Sequence, residues 1–163
     1  MTPAMALVTR AEASWPMPGD ESVPALAGFV MSDFSPLVAE VARRCLEEVT
    51  VSPRTAVIIV SATGDLRTAA AIAKAVDAGQ RPGPLLFYQA VPNAVAGYLA
   101  ARYGLTGPVV SLGPQAPGVD EGLALASLFL RDGDADEALI ISIEQKLATG
   151  EMDRATAQLV RGI

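Results

Sequence analysis

The chain has 163 residues, 12 basic against 18 acidic, a net charge of −6 and a sequence pI of about 4.6. That length suits one domain, 1–163, with a sizeable core. The acid excess and the scattered Lys and Arg exclude a nucleic-acid partner, whose backbone needs clustered cations. Apolar residues reach 51% and mean hydropathy is +0.36. No uninterrupted apolar run approaches the ~20 residues of a membrane-spanning helix. The surplus points to a well-buried α/β core plus an apolar face covered by another subunit. One cysteine, Cys45, cannot close an intramolecular disulfide, and Met1–Val8 has no basic n-region. A cytoplasmic protein is the expectation.

In chain order, 5–13 reads as a first strand, and the Pro/Gly cluster 15–20 as a turn. Ser35-Pro36 reads as a helix start, with Ser35 as cap and Pro36 at the first helical position. That helix runs to about Val49 and places Val38, Val41, Ala42, Cys45 and Val49 on one face. The run Thr55 to Ala62 is continuous, apolar and β-branched, as in a central parallel strand buried on both faces. Asp65 caps a helix over 66–78 that Gly79 ends, and 80–84 is a loop. Asn93 starts a helix to Tyr103, closed by Gly104. A short strand follows at 108–112, a helix at 119–131, a buried strand at 137–143 and a terminal helix at 151–160. Alternating strands and helices predict an α/β fold with a mixed or mostly parallel sheet.

Several residues carry chemistry in principle. Cys45 lies on an apolar helix face, which suits a buried structural thiol despite Arg43 and Arg44. Asp132, Asp134, Asp136 and Glu137 form an acidic turn that lacks a calcium-loop pattern and reads as solvated. Ser61 to Asp65 has neither phosphate-loop glycine pattern. There is no His/Cys cluster, so no metal and no cofactor is expected. Glu144-Gln145 ends a strand, where sites often lie in α/β folds. Ala94, Gly97 and Ala101 put small side chains on one helix, so that another backbone can approach it closely. Gly104 and Gly107 supply turns.

The succession Val91-Pro92-Asn93-Ala94-Val95-Ala96-Gly97, Tyr103-Gly104-Leu105-Thr106-Gly107-Pro108 and Gly133-Asp134-Ala135-Asp136 resembles the N-terminal half of β-ketoacyl synthases. The resemblance implies a thiolase-like half, with a βαβαβ-type mixed sheet and helices. In that family a nucleophilic cysteine opens the helix between the last two landmarks. The ungapped match, eight residues after Pro108, is Ala116. Gln115-Ala116-Pro117-Gly118-Val119-Asp120 is also similar to a run in chain-length factors, the inactive partners of type II polyketide ketosynthases, and that match puts Gln115 there. Both alternatives stand. Neither residue has a thiol or hydroxyl to activate. The family's catalytic histidines come from its C-terminal half, and this sequence contains no histidine.

The resemblance further implies that the strand Val109, Val110, Ser111, Leu112 pairs with its counterpart across a dimer axis, and that Phe87, Asn93 and Gln115 lie near an acyl pocket. The expected function is a non-catalytic accessory subunit of a bacterial type II polyketide or fatty-acid system, acting beside an active ketosynthase. Acyl carrier protein is a further candidate partner, although both proteins would be acidic. The alternative is a homodimeric small-molecule (acyl) binding or regulatory protein on the same degenerate fold. A third reading makes Asp65, Asp120 and Glu144 acid and base groups of an unrecognised enzyme.

Overall fold

The run Thr55–Val60 forms β2, and every residue of it is buried. Residues 5–163 are described in this computed structural model. β2 can lie inside the sheet because no side chain along it needs water. It is flanked in parallel by β3 (Val109–Leu112) and β4 (Glu137–Glu144). Beyond β4 the sheet turns antiparallel through β5 (Arg154–Gly162) to β1 (Leu7–Trp15), in the order β1-β5-β4-β2-β3. The fold is therefore α/β with a mixed sheet, as expected.

The terminal helix expected at 151–160 is instead β5. Ala155, Ala157 and Leu159 are buried while Arg154 and Thr156 are exposed, a two-residue period. Ala, Gln and Leu favour helix weakly, but the slot between β4 and β1 supplies hydrogen-bond partners on both sides, and that outweighs propensity.

One face of the sheet carries α1 (Phe34–Leu46) and α4 (Pro92–Tyr103). Leu37, Val38, Val41, Cys45, Val95 and Leu99 pack there on Val57, Ile59, Leu139 and Ile141. The other face carries α5 (Asp120–Asp132), whose Ala126 and Leu130 cover Ile58, Val60 and Ile140. Gly122 is what lets α5 lie so close: a Cβ there would meet Ile140 Cγ2 and Val60 Cγ2 at 2.8 Å.

Ser35 does not cap α1. It sits inside the first turn with its Oγ buried and unpartnered, while Ser32 Oγ accepts from the Phe34 N–H at 3.2 Å. Pro36 is tolerated in the first turn because N–H groups there have no intrahelical acceptor. Asp65 caps α2 (Leu66–Asp77) as expected: Oδ1 accepts from Thr68 N–H at 3.0 Å and Oδ2 from Thr68 Oγ1 at 2.8 Å. A short helix not foreseen, α3 (Pro84–Ala90), starts on Pro84. It lies beside α2, which buries only Thr68. Gly104 closes α4 at φ +66°. Gly107 has no positive φ and serves close approach instead: its Cβ would lie 2.5 Å from the Thr55 carbonyl carbon. Gly97 shows the reverse, because among the described residues nothing lies within 4 Å of a Cβ there.

Glu137 does not belong to a solvated turn. It is buried at the start of β4, pairs with Arg10 and accepts from Ser52 N–H at 2.9 Å. The β-bulge at Arg10 aims its guanidinium at this carboxylate.

Candidate functional site

Parallel β2, β3 and β4 end together, and their connections form one polar rim. Glu144 accepts from Ala62 N–H and from Thr63 Oγ1 at 2.9 Å. Gln145 is buried; its Oε1 accepts from Leu66 N–H at 2.9 Å and its Nε2 donates to Ser32 Oγ at 3.0 Å. Asp153 accepts from Arg67 at 2.6 and 3.0 Å and from Lys146 N–H at 2.9 Å. Asp65 and Glu144 thus hold backbone and hydroxyl donors, and Asp120 is exposed at the start of α5. The three acids considered as acid and base groups occupy separate structural positions. No group of three metal-ligating side chains occurs among the described residues.

Gln115 and Ala116 lie in an exposed bend between β3 and α5, ahead of the helix start at Asp120. No thiol or hydroxyl is carried by either. Phe87 is 52% exposed on α3. Asn93 is in the first turn of α4, where its Oδ1 accepts from Ser111 Oγ at 2.6 Å. Five cavities of the fold are lined by other residues, so Phe87, Asn93 and Gln115 are not gathered around any of them.

The one thiol of the chain is remote from this rim. Cys45 is buried in the α1 core, and burial pushes its pKa up to about 11. The neighbouring Arg44 turns away to Asp20 (2.8 Å) and Glu40 (2.9 Å). The expectation of an inert structural cysteine agrees with this geometry.

β3 is an edge strand. It pairs with β2 alone, and no described strand lies along its outer side. Pro108 and Leu112 carbonyls accept from Val57 and Ser61 N–H, so by strand alternation Val109 and Ser111 aim their backbone groups outward. The edge has no charge, no bulge and no proline within it, whereas the opposite edge, β1, is guarded by the Arg10 bulge and Glu12. An apolar patch lies on α3, which packs against α2 and α4, and at its C-terminal cap: Leu85, Phe87, Tyr88 and Val91 are each more than half exposed. The Asn93–Ser111 bond ties the start of α4 to the edge strand. Gln89, which sequence reasoning missed, fixes the patch. It is buried, and its Oε1 accepts from Val30 and Met31 N–H at 3.0 and 3.2 Å. Its only signal was one amide inside an apolar run, Leu85 to Val91.

The family described as beta-ketoacyl synthase, N-terminal domain, matches residues 7–151. No curated protein matches the chain. Among solved structures, the ketosynthase ApeO in complex with its chain length factor ApeC, from Xenorhabdus doucetiae, is similar at TM-score 0.66 and 19% identity. The match covers 88% of this chain and 64% of that one. The ishigamide ketosynthase/chain length factor matches at TM-score 0.66 and 20% identity, over 88% and 48%. A β-ketoacyl synthase from Burkholderia phymatum matches at TM-score 0.63 and 12% identity, over 89% and 47%. The chain therefore spans from about half to somewhat under two thirds of these structures. The sheet order, the helices on both of its faces and the family match agree: this chain belongs to the β-ketoacyl synthase N-terminal domain family and has its thiolase-like α/β fold.

Proposed function

We propose that this chain is a non-catalytic ketosynthase-like subunit that pairs with an active ketosynthase in the cytoplasm of a bacterial type II polyketide or fatty-acid system. The nucleophile position carries the reading. Covalent acyl transfer needs a group that can be activated to attack, and neither Gln115 nor Ala116 offers one. Both positions lie inside the stretch that matches the family. The unguarded edge of β3 supports the pairing, since an exposed, uncharged strand is a template for another chain. The apolar patch on α3 gives a partner surface to bury. Two similar structures are complexes of a ketosynthase with a chain length factor. A third, at TM-score 0.59, is a ketosynthase with an acyl-carrier protein.

The test is affinity capture of the tagged chain from its host, with mass spectrometry of what is bound and light scattering of the complex. A stoichiometric ketosynthase is expected. Val109→Lys should abolish its recovery while changing the melting temperature of the isolated chain little, because the Val109 side chain is already exposed at the surface. Recovery of the chain alone as a stable homodimer would replace this reading with a homodimeric binding protein.

A further inference from the structure

We propose that α2 and α3, residues 66–90, form a flap that opens from the sheet as one unit while the rest of the fold stays closed, and that opening bares the buried Gln145 amide at the strand ends. The inference is independent of the subunit reading above. It starts from what the segment leaves unburied. Leu66, Ile72, Val76, Leu85, Leu86 and Phe87 would suffice for an apolar seam. Yet among the described residues neither hydrophobic cluster of the fold includes a side chain from 62–91. α2 buries Thr68 alone and α3 buries Gln89 alone, and both are polar. α2 packs chiefly on α3, and α3 on α2 and α4. Helices of 12 and 7 residues do not persist in water by themselves, so contacts outside the segment must hold them.

Those contacts are polar latches at three places. Just past β4, Gln145 Oε1 accepts from Leu66 N–H at 2.9 Å. Arg67 donates to both Asp153 carboxylate oxygens, at 2.6 and 3.0 Å, and to the Lys146 carbonyl at 3.2 Å. Gln89 Oε1 accepts from Val30 and Met31 N–H, and beside it the Tyr88 ring leans on Phe29 with 5.8 Å between centroids. Water can replace each of these bonds when the segment lifts. Unfolding the sheet would instead expose the side chains of both hydrophobic clusters, so lifting the segment is the easier opening. The chain has a pivot at each end. Gly64, at φ +68°, precedes the cap of α2, and the extended Val91 separates α3 from α4. Each helix carries a latch and the two pack on each other, so they lift together.

The experiment is amide hydrogen exchange of the full chain, followed by NMR under conditions where the rate reports the opening equilibrium. Hydrogen-bonded amides of α2 and α3 should be protected at least about a hundredfold less than those of 56–60 and 138–143. Ile140→Val trims the cluster under α5, which stays packed when the flap is open. It should speed exchange in 56–60 and 138–143 roughly two- to tenfold and leave both helices unchanged. Arg67→Gln removes one latch and should speed α2 and α3 together, roughly tenfold. The side-chain amide of Gln145 should follow the helices in both variants. If Ile140→Val speeds the helices as much as β2, they part from the sheet only in global unfolding and the proposal is overturned. An Arg67→Gln response confined to α2 would overturn it too, since that marks a fraying helix. A Gln145 side-chain amide that follows β4 instead would refute the baring of the strand ends.

Discussion

Gly107→Ala asks whether β3 can lie on β2 only because residue 107 has no side chain. The new Cβ would stand 2.5 Å from the carbonyl carbon and oxygen of Thr55 and 2.7 Å from Ala56 N. Carbon contacts settle near 3.5–4.0 Å, so the chains must part by about 1 Å. No flexible side-chain tip can yield there, because the obstacle is backbone of the buried central strand. Parting them stretches the Thr106 N–H to Pro53 carbonyl bond (2.7 Å) and the Val57 N–H to Pro108 carbonyl bond (2.8 Å). Overpacking costs about 1–3 kcal/mol, and a buried group left unpaired costs a similar amount. The sum is about 2–6 kcal/mol, or a fall in Tm of roughly 4–24 °C for a domain of this size. Gly97→Ala is the matched control. Open space surrounds its Cβ in mid-helix, so the higher helix propensity of Ala should stabilise by up to about 1 kcal/mol. Urea unfolding of the isolated chain with unchanged m-values measures both. A Gly107→Ala midpoint within error of the parent, or a larger loss for Gly97→Ala, would refute the steric argument.

Cys45 should resist alkylation at pH 8 in the folded chain and react at once in denaturant, as a mass-spectrometric time course would report. Its folded pKa of about 11 lies above the ordinary 9.0. The unfolded state therefore ionises first, and stability falls by about 3 kcal/mol as pH rises from about 9 through about 11. Cys45→Ala should abolish that slope. Asp20 has the opposite sign. Its hydrogen bond to Arg44 lowers its pKa to about 2, and Arg43 likewise lowers Glu40. Their contribution is present above about pH 4 and is lost as pH falls toward 2, so Asp20→Asn should flatten the acid limb of a stability–pH curve. Gln145→Ala removes the acceptor for Leu66 N–H and the donor to Ser32 Oγ. It should cost about 1–3 kcal/mol in urea unfolding and speed hydrogen exchange at the start of α2.

Local chemistry was legible along most of the chain. The β-branched run at 55–60, Asp65 as a cap and Gly104 as a helix end each act through neighbours a few residues away, so their signals are contiguous. The family was legible for a different reason, since its landmark glycines and prolines are read by counting. What spacing could not resolve was the choice between Gln115 and Ala116, and the irregular bend that holds both gives no helical register to decide it. β5 was misread because Arg154 to Val160 mixes helix-favouring residues with a weak alternation, and only the gap between β4 and β1 selects the strand. The bridging roles of Gln89 and Gln145 were not legible because one amide in a sequence says nothing of its partners until those, 59 and 113 residues away, are brought to it.

By itself, then, the sequence determined most of the alternation of elements and the family, because these depend on residue identity and short spacing. Tertiary structure alone decided that β3 is a bare edge, that β5 completes the sheet and that α2 and α3 stay outside both hydrophobic clusters. Each of those depends on which distant segments the chain brings side by side, and long-range pairing leaves almost no trace in local order.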